Sequence, residues 1–101
     1  MLLKAFPEFR ERLDKSDLEN DYLSYGFFAL YLTELSPTDP IWGRAWRFFN
    51  ENAGRDDRLD EILVVEVFEH FAAFEEWTIL AKASLQGKAL ELFRGAEEYF
   101  R

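Results

Sequence analysis

The apolar residues of this chain recur three and four positions apart, and proline and glycine mark the breaks between such stretches. This spacing places side chains on one face of an α-helix, whereas a half-buried strand would alternate with a period of two. The pattern therefore predicts an all-α fold, a single compact bundle of five to six short helices. Residues 1–101 are expected to form one helical domain, because a chain of this length fits one domain and buries roughly 60–70% of its unfolded surface.

The breaks divide the chain into predicted helices. A first helix is predicted to begin near Pro7, after a separate turn, because proline is accepted in a first turn but disrupts a helix interior. Gly26 weakens its helix by about 1 kcal/mol relative to alanine, which indicates that a neighbour approaches there. The other predicted helices run from about Leu18 to Leu35 with Asp17 as cap, from Asp39-Pro40 to Ala53-Gly54, from Asp57 to Phe74, from Glu75 to about Ser84, and from Lys88 to Phe100.

The predicted helix from Asp57 to Phe74 is apolar around most of its circumference, which is typical of a central, buried helix. Its run Ile-Leu-Val-Val at 62–65 also has high β-propensity. We predict helix for this run, because acidic residues recur through the segment and no partner strand is evident.

The chain carries few groups for chemistry: one histidine, no cysteine, and five glycines that form no phosphate-binding loop. We therefore expect a protein that is not an enzyme and that uses no cofactor. Its 18% aromatic content suits a packed core or binding to another macromolecule. No stretch is long and apolar enough for a membrane span, and the first residues do not resemble a secretion signal. We expect no membrane insertion and a cytoplasmic location.

The formal net charge is -8, from 20 Asp and Glu against 12 Lys and Arg. This balance repels phosphates, which argues against nucleic-acid binding, and it suits a basic partner protein. The acidic residues form two patches, one of Asp14, Asp17, Glu19 and Asp21 and one of Asp56, Asp57, Asp60 and Glu61. Part of each patch also serves helix starts, where negative charge complements the dipole. Trp42 is expected to be exposed as an anchor because it lies at a helix start; the alternative places it in the core. The predicted partner-binding residues are Asp14, Asp17, Glu19, Asp21, Trp42, Asp56, Asp57, Asp60 and Glu61.

Glu66, Glu69 and His70 form the cluster that deserves testing as a site. Glu66 and His70 are four residues apart and share a helix face. One interpretation is a metal-binding or enzymatic centre, although a single histidine is few ligands for it and we expect no metal. A second is a hydrogen-bonded Glu66–His70 pair that satisfies a half-buried carboxylate. A third is an acidic anchor in a binding face.

Several stretches of the sequence carry a family resemblance: Leu-Leu-x-x-Phe-Pro-x-Phe at 2–9, an aromatic-rich second helix, Asn-Glu-Asn at 50–52, Ile-Leu-Val-Val-x-Val-Phe-Glu at 62–69, and Leu-Gln-Gly-Lys-Ala-Leu-Glu-Leu-Phe at 85–93. Together they resemble a family of small, acidic, all-helical bacterial domains of unassigned biochemistry, similar to the immunity proteins encoded beside polymorphic toxins. That family more often has Leu-Gly-Pro-Lys where this chain has Leu-Gln-Gly-Lys.

The resemblance implies an immunity-type protein that neutralises a cognate toxin, such as a basic nuclease, by steric and electrostatic occlusion. It brings no catalytic residues with it. The alternatives are the metal-binding or enzymatic domain centred on Glu66, Glu69 and His70, and a helical subunit of a larger assembly, including a homodimer.

Overall fold

The computed structural model describes residues 2–99. Within them the chain is helical and contains no strand, which confirms the all-α prediction. The predicted number of five to six helices is too low, because the described residues form eight α-helices, one 3₁₀ helix and one π-helical segment. They are α1 (Leu2–Ala5), the 3₁₀ helix (Pro7–Arg12), α2 (Lys15–Leu18), α3 (Asp21–Glu34), α4 (Ile41–Asn52), α5 (Asp57–Ile62), the π segment (Leu63–Phe68), α6 (Glu69–Ala72), α7 (Glu75–Ser84) and α8 (Gly87–Tyr99).

Two caps divide the predicted second helix into α2 and α3. The Asp14 carboxylate accepts a hydrogen bond from the Asp17 amide at 2.9 Å, and the Asp17 carboxylate accepts one from the Asp14 amide at 3.1 Å. Asn20 then caps α3 by accepting from the Leu23 amide at 3.2 Å. Each cap satisfies amides that a helix start leaves free. The prediction that Asp17 caps one long helix is therefore wrong, since Asp17 belongs to the capping box of α2.

The segments α5, π and α6 follow one another without a break and form the central helix, residues 57–72. Asp56 caps it by accepting hydrogen bonds from the amides of Arg58 and Leu59. The Glu69 amide donates to the Val64 carbonyl five residues back, which is the hydrogen bond of a π turn. The prediction of helix rather than strand for 62–65 is confirmed, although the helix ends at Ala72 and not at Phe74.

Aromatic rings fill the core. Phe28, Phe49 and Phe68 are completely buried, and their rings meet edge to face. The Trp42 ring stacks on Trp77 at 4.9 Å and on Trp46 at 5.1 Å between ring centroids. Trp42 is 3% exposed, so the prediction of an exposed Trp42 is wrong. The reason is that α7 packs against the start of α4 and covers this indole.

The boundaries of α4, α7 and α8 lie close to their predicted positions. The Asp39 carboxylate accepts from the Ile41 amide at 3.0 Å and starts α4, and Gly54 follows it with a φ of 87°. Helix α7 has the predicted bounds, and α8 begins one residue early, at Gly87. The predicted end of the last helix, Phe100, lies outside the described residues.

Helix α3 and the central helix run side by side in the same direction. Three contacts join them in the same order along both: Asp21 with Arg58 at 2.8 Å, Tyr22 with Glu61 at 3.1 Å, and Thr33 with His70 at 3.1 Å. Helix α4 lies between them in sequence, which gives the chain the length to return to the same end. Among the described helices, none combines the length and the apolar character needed to cross a membrane.

Candidate functional site

Helix α3 is apolar on both its inner and its outer side. Phe28, Ala29 and Leu32 on the inner side are completely buried. On the outer side Leu23, Phe27 and Leu30 are 44%, 40% and 48% exposed. Their spacing of four and three places them in one line along the helix. A soluble domain rarely leaves a contiguous apolar surface in water unless it binds something.

This outer line forms one wall of an open groove of about 420 Å³, which we name the α3 groove. The other wall comes from the central helix and the residue that follows it. The lining residues are Leu23, Gly26, Phe27, Leu30, Val65, Glu66, Glu69, His70 and Ala73. Phe74 continues the apolar surface beyond His70, with the two ring centroids 5.7 Å apart. The groove is thus largely apolar, with polar groups from one wall.

Residues 65, 66, 69, 70 and 73 line the groove because they share one face of the central helix. At about 100° per residue, positions i, i+1, i+4, i+5 and i+8 fall within roughly 140° of the helix circumference. The π segment lies within this stretch of the helix. Val65 points away from the core and is 46% exposed.

Gly26 provides the space for the Glu66 carboxylate. A Cβ atom at residue 26 would lie 2.7 Å from Glu66 Oε2, closer than real Cβ atoms come to another heavy atom. The carboxylate thus lies against the backbone of α3, between the two walls of the groove. The prediction that a neighbour approaches Gly26 is confirmed, and the neighbour is Glu66.

His70 joins the central helix to α3 through Thr33. The Thr33 hydroxyl lies 3.2 Å from the Ala29 carbonyl and 3.1 Å from the Leu30 carbonyl, so its single proton is donated to the backbone of its own helix. With the hydroxyl proton on the backbone, we assign His70 Nε2, 3.1 Å away, as the donor to the hydroxyl oxygen. Burial lowers the pKa of His70, which favours the neutral ring in this position.

The hydrogen-bonded pair of Glu66 and His70 is not formed between residues 2–99 of the structure, where His70 uses Thr33 instead. The metal-centre interpretation also gains no support from the described part of the chain. Glu66, Glu69 and His70 line the same groove, but no group of three acidic or histidine side chains there is placed to hold a metal ion. The third interpretation, an acidic anchor within a binding face, is compatible with the place of Glu66 and Glu69 in the groove lining.

The two acidic patches predicted to bind a partner come together on one side of the molecule. The Asp21–Arg58 ion pair and the Tyr22–Glu61 hydrogen bond join them. Most of these acidic side chains already accept hydrogen bonds or pair with a cation within the described structure: Asp14, Asp17, Asp21, Asp56, Asp60 and Glu61. Glu19 and Asp57 are exposed beside them. We name this surface the acidic surface; Trp42 lies in the core and not on it.

The sequence of α3 contains a signal for the α3 groove. Tyr25, Phe28 and Leu32 face the core, while Leu23, Phe27 and Leu30 are apolar residues on the opposite side of the same helix. A helix apolar on all sides is normally buried on all sides. Here one side remains open, which only the packing of the other helices reveals.

Comparison of the chain with protein-family models, with curated proteins and with solved structures finds no match. The physical properties of the α3 groove and the acidic surface therefore carry the functional inference.

Proposed function

We propose that this protein acts by binding another protein through the α3 groove, and that it neutralises a toxin domain in the manner of an immunity protein. The class of partner comes from the sequence resemblance. The binding mode comes from the exposed line of Leu23, Phe27 and Leu30 on a helix whose other side already belongs to the core.

The size of the exposed apolar surface supports a binding role. Complete burial of a Leu, Val or Phe side chain contributes roughly 1.5–3 kcal/mol. Four apolar side chains of the groove are about half exposed and can still be covered by a partner: Leu23, Phe27, Leu30 and Val65. Covering all four contributes about 3–6 kcal/mol before the costs of association. A dissociation constant of about 1 μM needs about 8 kcal/mol. The groove thus serves as the centre of a larger interface.

The acidic surface lies at one end of the groove and extends that interface. The Tyr22–Glu61 hydrogen bond joins the two acidic patches. Tyr22 is next to Leu23 in the chain, and Glu61 lies one helical turn before Val65; Leu23 and Val65 both line the groove. A protein with an excess of acidic groups attracts a basic partner and accelerates its encounter. Glu19 and Asp57 carry their charge at this surface without an ion pair in the described structure, so they remain the best-placed contacts among the predicted residues.

The test uses the product of the gene adjacent to that of this chain as the candidate toxin, with toxin activity and a binding titration as the two measurements. The wild-type protein is expected to bind and inhibit the toxin. Leu30→Asp places a charge in the middle of the groove and is expected to weaken binding at least about a hundredfold. Ile79→Asp is the matched control, because Ile79 is 61% exposed on α7 and does not line the groove.

Two results would contradict the proposal. If the toxin is equally active with and without the wild-type protein, the immunity role is wrong. If Leu30→Asp and Ile79→Asp inhibit the toxin equally well, the protein neutralises it through another surface.

A further inference from the structure

We infer that the α3 groove receives an amphipathic helix of the partner protein, with a lysine or arginine of that helix pairing with Glu66. This inference rests on the proposed binding function and adds the chemistry of the occupant to it. Three properties of the groove carry it: the straight apolar wall along α3, the unpaired carboxylates of the opposite wall, and the absence of a strand edge in its lining.

The geometry of the walls matches one face of a helix. Leu23 and Leu30 are seven residues apart, which is about 10 Å along α3. An apolar stripe at i, i+3 or i+4, and i+7 of a partner helix covers the same distance, as in helix-in-groove recognition. Binding of a peptide as an added β-strand needs a free strand edge, and residues 2–99 contain no strand. The groove therefore suits a helix better than a strand.

The carboxylates decide the charge of the occupant. Glu66 and Glu69 line the groove, which has no lysine or arginine in its lining. Neither carboxylate has a cationic side chain within ion-pair distance in the described structure. A purely apolar occupant would cover Glu66 without replacing its water, and burial of an unpaired charge is strongly unfavourable. A cation on the occupant removes that cost.

The same charges argue against a second copy of this chain as the occupant. Two copies meeting groove to groove would bring Glu66 and Glu69 of one against those of the other. Each copy also carries a formal net charge of -8. Like charges placed in contact across an interface select against that pairing.

The experiment measures binding of two fluorescent helical peptides of about 18 residues to the 101-residue chain. The peptides share one leucine stripe at helical spacing and differ only in carrying Lys or Glu beside that stripe. The Lys peptide is expected to bind at least about tenfold more tightly than the Glu peptide, and to shift the amide resonances of residues 23–30 and 65–73. Glu66→Lys is expected to reverse that preference.

Glu76→Lys is the matched control, because it makes the same change in net charge on the exposed start of α7, outside the groove lining. It is expected to keep the preference for Lys. Gly26→Ala adds a methyl group where the Glu66 carboxylate lies and is expected to reduce the preference. Because alanine favours a helix over glycine, loss of folding would not explain that reduction.

The inference is overturned if neither peptide binds, if both bind equally, or if Glu76→Lys reverses the preference as Glu66→Lys does. It is also overturned if a groove-specific dimer forms in place of a peptide complex. None of these outcomes changes the result of the toxin-inhibition test with Leu30→Asp. The peptide experiment can therefore contradict the proposed occupant while the proposed binding function stands, and the toxin test can contradict the binding function by itself.

Discussion

At the scale of single residues, His70, the one histidine of the chain, links stability to pH. It donates from Nε2 to Thr33, and burial lowers its pKa. Glu66 and Glu69 from its own helix line the same groove, and Thr33 faces it from α3. The unfolded chain takes up a proton at His70 near the ordinary pKa of about 6.5, while the folded chain resists it.

Acidification from about pH 8 to about pH 5.5 is therefore expected to lower the free energy of unfolding. A histidine with a lowered folded pKa contributes stability that is present above its unfolded pKa and is lost as the pH falls below it. The measurement is a series of urea titrations across this range. His70→Gln, which keeps an amide donor for Thr33, is expected to show a smaller loss. An equal loss in both proteins would mean that His70 is not the group responsible.

At the scale of elements, Asn50 holds the break between α7 and α8 against α4. Its side-chain amide donates to the Ser84 carbonyl at 3.1 Å, and its oxygen accepts from the Gln86 amide at 2.8 Å. One side chain thus satisfies a carbonyl at the end of α7 and an amide just before α8, groups that helix ends leave free. These bonds join the Asn-Glu-Asn stretch to the Leu-Gln-Gly-Lys stretch.

Asn50→Ala is expected to lower the free energy of unfolding by about 2 kcal/mol, because it removes two hydrogen bonds of about 1 kcal/mol each. Chemical denaturation of both proteins measures the difference. Asn52→Ala is the matched control, since Asn52 donates only to the Phe48 carbonyl of its own helix, and a loss below about 1 kcal/mol is expected there. Equal losses for the two variants would show that the bridge at Asn50 adds nothing.

At the scale of the whole molecule, the net charge of -8 is distributed over a body of 35 × 30 × 23 Å. At about 10 mM salt the screening length is about 30 Å, so repulsion acts across most of this body. The described ion pairs are 2.8–3.4 Å long and lie mainly at the surface. Such pairs contribute little individually, and salt screens charges in contact less than charges far apart.

Raising sodium chloride from about 10 mM to about 200 mM at neutral pH is therefore expected to stabilise the fold. The urea midpoint measures this effect. The control is the same comparison near the isoelectric point of about 4.6, where the net repulsion vanishes and the salt effect is expected to disappear or reverse. A lower midpoint at neutral pH in the higher salt would show that the attractive pairs outweigh the repulsion.

Local sequence patterns account for the helical structure of this protein. Periodicity predicted the all-α class and the helical state of the apolar run at 62–65. The glycines at 54 and 87, both with positive φ, lie close to predicted helix boundaries. These features follow from interactions within one turn of chain. Local patterns did not predict the break at Asn20. The caps Asp14 and Asn20 favour two helices, the apolar periodicity favours one continuous helix, and packing decides between the two.

Which apolar faces are covered depends on how the helices pack against one another. Trp42 is buried because Trp77 arrives from α7, and Leu23, Phe27 and Leu30 stay exposed because no described helix packs over that side of α3. Periodicity tells which side chains share a face, but whether a face meets water depends on neighbours that are distant in sequence. The α3 groove, where Gly26 and Glu66 meet across 40 positions of chain, is therefore a property of the assembled bundle.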